Sequence, residues 1–146
     1  MIQQLLASVA VIQPPTPCDM GPQYSVHVNP MHRCEAGREF VAIYQSHFVA
    51  LPAHSAWLFV STARLPQPLD LTSYGMDACW LMVDPSPQHL QVLTPSHGGP
   101  VTRGNGRLVW RWTPPDTMRG AVLYSQMVWT DATKNLIGPM LRVEVR

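Results

Sequence analysis

Short runs of apolar residues alternate with turn residues along this chain, at a spacing of about ten residues. The clearest run is the last one. Leu141, Val143 and Val145 fall on one side and Arg142, Glu144 and Arg146 on the other, the two-residue period of a strand with one buried face. Residues 107–113 repeat the pattern: Leu108, Trp110 and Trp112 share a face, opposed by Arg107, Val109 and Arg111. Residues 121–130 form the longest candidate, with Leu123, Met127 and Trp129 on one side and Val122, Tyr124, Gln126 and Val128 on the other. Further strands are predicted at 24–28, 40–45, 57–61, 80–83 and 90–94. The uninterrupted apolar run from Trp57 to Val60 predicts a strand covered on both faces.

The connections between these runs are too short for helical crossovers, so antiparallel pairing is expected. The chain holds 15 prolines. Each would cost about 3 kcal/mol inside a helix. The two longest stretches without Pro or Gly, 38–51 and 121–137, are rich in Val, Phe, Tyr, Trp and Thr, which favour strands. The predicted fold is all-β: a single antiparallel β-sandwich of about eight strands. Residues 95–106 (PSHGGPVTRGNG) and 131–139 read as loops.

Residues 1–22 stand apart from the sandwich domain at 23–146. The first 13 are apolar, with Leu5, Leu6, Val9 and Val11 the residues of an assembly segment if this is a strand given to a neighbouring subunit. The same residues also fit the remnant of an export signal or an ordinary first strand. The segment is too short to span a bilayer, and no other segment is long enough. Residues 14–22 (PPTPCDMGP) form a Pro-rich, extended linker.

Charge narrows the partners. Charged residues are only 13% of the chain, so Ser, Thr, Asn and Gln must cover much of the surface, a habit of extracellular β proteins. Net charge is +1, with no basic run. That excludes the concentrated positive field that nucleic acid requires, and a polybasic membrane patch with it. Cys18, Cys34 and Cys79 lack a CxxC spacing, which argues against zinc. They allow one disulfide and one free thiol, or three free thiols, and the pairing is open.

Candidate chemistry is sparse. His27, His32, His47, His54, His89 and His97 include no pair at i, i+2 or i, i+4, so no local metal chelate is expected and no cofactor is implied. Asp131 with Asn135, or Asn105 with loop carbonyls, would be calcium ligands only without the Asp-rich string such loops carry. Asp70, Asp77, Asp84, Asp116 and Asp131 fall at turns, where the carboxylate serves as a local backbone acceptor. Cys34 lies two residues from His32, so an activated thiolate is conceivable, but a disulfide partner is the favoured reading. No nucleophile elbow is present. Trp110 and Trp112 lie about 7 Å apart on one strand face. They form either a ligand platform for a sugar ring or part of the core beside Leu108.

A set of segments carries a resemblance. These are Trp57-Leu-Phe-Val-Ser61, Leu65-Pro-Gln-Pro-Leu-Asp-Leu71, Gly75-Met-Asp-Ala-Cys-Trp-Leu81, the turn Asn105-Gly106, the strand ending at Pro114, Gly120-Ala-Val-Leu-Tyr-Ser-Gln126 and Asp131. In order and spacing they resemble a C-terminal β-sandwich module of large exported proteins from planctomycetes and related bacteria. The resemblance implies a sandwich and export, and no activity. The expected function is therefore a non-catalytic extracellular module for interaction or assembly, secreted or on the cell surface, such as a structural subunit of a surface layer or filament. Alternatives are a carbohydrate-binding module that uses the tryptophans and, third, a small exported hydrolase.

Overall fold

In a computed structural model of the chain, residues 7–15, 26–46, 55–71, 80–104, 107–130 and 135–146 are described. They form twelve strands: β1 Val9–Ile12, β2 Val26–Pro30, β3 Phe40–Ser46, β4 Ser55–Ser61, β5 Arg64–Asp70, β6 Trp80–Val83, β7 Leu90–Leu93, β8 Val101–Gly104, β9 Arg107–Trp112, β10 Val122–Thr130, β11 Asn135–Ile137 and β12 Met140–Glu144. Among the described residues the only helical element is a 3-10 turn at Asp116–Met118.

Among the described residues all strand pairs are antiparallel and fall into three sheets. The largest runs β1-β12-β10-β4-β7, with β11 on the far half of β10. The second runs β2-β3-β9-β8, and β5 pairs with β6 alone. The first two sheets make the sandwich. Tyr44 of β3 is hydrogen-bonded to Ser125 of β10 between them, and the Arg103 guanidinium of β8 sits 4.9 Å from the ring of Trp129 on β10.

The alternation explains the layers. Leu123, Ser125, Met127 and Trp129 of β10 face the second sheet, in register with Val143, Leu141, Leu58 and Ala56 on the flanking strands. Gln126 and Val128 on the opposite face are buried too. The β5–β6 hairpin covers that face, so the chain is a sandwich with an added third layer. Gln126 is the peg that fixes it. Its Oε1 accepts from the Met82 and Val83 N–H groups at 2.7 and 3.1 Å, and its Nε2 donates to the Trp80 and Gly138 carbonyls, both at 3.0 Å. Its whole hydrogen-bonding capacity is used, as a fully buried amide requires. Gly120, at φ +89°, turns the chain into β10 in a backbone region that favours glycine. Gly120 and Gln126, at the two ends of the 120–126 segment, are thus a turn and a tie.

The strand count exceeds the expected eight for identifiable reasons. Pro66 and Pro68 disqualify 64–70 as a central strand. β5 tolerates them because it pairs on one side only and its register shifts between Arg64 and Leu69. β8 lies inside the segment expected to be a loop at 95–106, and β11 inside the one expected at 131–139. β1 is an ordinary strand within the chain's own sheet, with Val9 opposite Val143 and Val11 opposite Leu141.

Candidate functional site

Two features of the fold bear on function: the exposed sheet edges and a cleft between the sheets. β1 is an outermost strand. The Glu144 N–H donates to the Ser8 carbonyl at 2.7 Å, which makes Ser8 and Glu144 a hydrogen-bonded pair. Alternation then turns the Ala10 and Ile12 amides towards β12, and those of Val9 and Val11 outward. Among the described residues nothing pairs with that outer row. The strand has no charge and no proline, and Val11 is 37% exposed. β7, at the opposite edge of the same sheet, is also uncharged, with Val92 at 47%. Leu5 and Leu6, the other residues of the expected assembly segment, lie outside the described residues.

β1 is anchored from beneath. The buried Ser8 hydroxyl donates to the Glu144 carbonyl at 2.8 Å and accepts from the Cys34 N–H at 3.1 Å. Cys34 forms a parallel bridge with Val145, and its carbonyl accepts from the Arg146 N–H at 2.9 Å. Its thiol is free and 1% exposed. Burial pushes that thiol from 9.0 up to about 11, the reverse of an activated thiolate. His32 nearby is exposed. Cys18 and Cys79 lie outside the described residues.

The cleft opens between β4 and β7 of one sheet and β9 of the other, with a volume of about 370 Å³. Val60, Leu93, Pro100, Trp110, Trp112, Met118 and Leu123 give it apolar walls, and Ser61, Thr62, His89 and Gln91 supply polar groups. The tryptophan pair is not the two-ring platform that its strand spacing suggests. Trp110 is 3% exposed, with Phe40 edge-on at 5.6 Å. The Trp110 and Trp112 planes lie 8° from parallel, with centroids 5.6 Å apart, so the rings cover each other. Trp110 belongs to the core, and Trp112 is the half-buried ring at the cleft.

His89 is held at the rim by its Nδ1, 2.8 Å from the Thr62 hydroxyl, while the Thr62 N–H donates to the His89 carbonyl at 3.2 Å. This hydroxyl–imidazole contact was not visible in the sequence, since 27 residues separate the two positions. Asp84 does not complete a triad. Its Oδ1 accepts from the Ser86 N–H at 2.8 Å, and hydrogen bonds from Ser86 hold its carboxyl below the usual range. His89 adds the weakest pull in the same direction, without closing to an ion pair.

The remaining candidates are dispersed. His97 lines a second, more open groove with Ser55, Trp57, Ser96 and Arg103 at the end of the sandwich. His27 lies on β2, where its side chain is outside the described residues, as are His47, His54, Asn105, Asp131 and Asp77 altogether. Asn135 begins β11 and Asp70 ends β5. Asp116 opens the 3-10 turn and pairs with Arg119 at 3.2 Å. Among the described residues no three His, Cys, Asp or Glu side chains gather as a metal site would require. No described helix is long and apolar enough to cross a membrane. Compared with known proteins, the chain matches no family model and no curated relative.

Proposed function

We propose that the chain is a non-catalytic module for interaction or assembly outside the cell, joined to neighbouring copies through the edges of its six-stranded sheet. The observation that carries this reading is β1: an uncharged outer strand whose Val9 and Val11 amides point away from β12. Unpaired N–H and C=O groups on an apolar edge are a template for another strand. The uncharged β7 at the opposite edge adds direction. Pairing β1 of one copy with β7 of the next continues the sheet without closing it, the geometry of a filament or layer. Low charge and the resemblance to exported bacterial modules support a secreted or surface location.

Light scattering of the full chain across a concentration series tests the reading. A mass above the monomer is expected. Val11→Pro should return it to the monomer, because proline removes an outward N–H and leaves the ladder to β12 intact. A monodisperse monomer at every concentration, with residues 1–13 present, contradicts the reading.

A further inference from the structure

The cleft beside Trp112 opens between the two sheets, on the inner face of β7 rather than along its hydrogen-bonding edge, and four of its properties specify a ligand. No Asp, Glu, Lys or Arg side chain lines it, so an ionic ligand would lose its hydration without gaining a carboxylate, ammonium or guanidinium partner. Its volume of about 370 Å³ is near the lower end for small-molecule sites and suits one or two rings. Its polar groups gather on one rim. The Thr62–His89 contact fixes the imidazole through Nδ1 and leaves Nε2 without a partner among the described residues, next to the exposed amide of Gln91. Finally, Trp112 is braced by the parallel ring of Trp110, so little side-chain freedom remains to be lost on binding.

We propose that this cleft binds one ring of a neutral saccharide, with its C–H face on the apolar wall of Trp112, Leu93 and Met118 and its hydroxyl edge at Thr62, His89 and Gln91. An indole face carries negative charge density and attracts the weakly positive C–H bonds of a pyranose. Ring hydroxyls both donate and accept, which matches an imidazole nitrogen and an amide. A purely apolar ligand would leave the three rim groups to water and gain nothing from them. This site does not rest on the assembly reading.

The test uses the full chain in the Val11→Pro background, so that association does not enter. Indole N–H resonances are followed by NMR while methyl glucoside, methyl galactoside and methyl mannoside are added separately, with indole and glucuronate as controls. At least one glycoside should shift the Trp112 resonance, assigned through Trp112→Phe, and saturate at millimolar concentration. Trp112→Ala and His89→Ala should each weaken binding about tenfold. Gln91→Ala, on an exposed edge where folding is insensitive to it, should weaken binding several-fold. Trp57→Ala, outside the cleft, should leave it unchanged. Three results overturn the proposal: no saturable shift with any of the glycosides, binding that survives both Trp112→Ala and Gln91→Ala unchanged, or tighter binding of indole or glucuronate than of every glycoside.

Discussion

β1 and β8 are both outermost strands of four residues, one on each sheet of the sandwich, and they meet solvent in opposite ways. On β8 the Val101 carbonyl accepts from the Ser96 N–H at 2.9 Å, so the loop before the strand covers part of its edge. Arg103 stands in register with the buried Leu108 and places a cation over Trp129 at the end of the core. A covering loop and an inward-pointing charge both discourage strand addition. β1 has neither: Val9, Ala10, Val11 and Ile12 carry no charge, and their outer row has no partner among the described residues. A protein that blunts one edge and leaves another open restricts where a partner strand can add.

The contrast yields four variants or conditions to test, beginning with the largest effect. Gln126→Leu removes the tie to the third layer and leaves the buried Met82 and Val83 N–H groups without their acceptor. It should cost about 3–5 kcal/mol in urea unfolding. Association per folded molecule should not change, because neither edge is touched. Ser8→Ala leaves the buried Cys34 N–H without its acceptor and should cost about 1–3 kcal/mol, with faster hydrogen exchange confined to β1 and the 34–36 segment. Arg103→Val should cost only about 0.5–1 kcal/mol through the lost cation–π contact. Its larger consequence should appear in light scattering, as new association that Val11→Pro no longer suppresses.

The smallest effect is in pH dependence. The Cys34 thiol titrates at about 11 when folded and near 9.0 when free, so the unfolded chain releases its proton first. The stability gained from keeping it protonated is complete below about pH 9 and is lost as pH rises towards about 11. Thermal melts over that window should fall more steeply for the wild-type chain than for Cys34→Ala. The Tyr44 hydroxyl, also pushed up by burial, is common to both proteins and does not obscure the difference.

Alternation made the sandwich legible wherever one strand face meets the core and the other meets water. Leu141, Val143 and Val145 are buried as their spacing implies, and Leu108 and Trp110 likewise. Legibility ended where burial came from a third layer. Both faces of β10 are covered, so its pattern does not say that Gln126 is a structural tie rather than a surface amide; its partners lie 12 to 46 residues away. β5 was hidden by two prolines that an unpaired edge accommodates. Trp112 was visible as a candidate ligand residue. Its rim was not, because Thr62 and His89 meet only when β4 pairs with β7. β1 was visible as an apolar segment, but its outward amides follow only from its register with β12.

Backbone amide exchange in β1, followed by NMR at low and high protein concentration, tests the edge most directly. The Ala10 and Ile12 amides bond to β12 within the chain and should stay protected at any concentration. Those of Val9 and Val11 face outward, and they should exchange freely in the dilute chain and become protected as concentration rises. If Val9 and Val11 exchange equally fast at both concentrations while Ala10 and Ile12 remain protected, then no strand adds to this edge, and assembly through β1 is wrong.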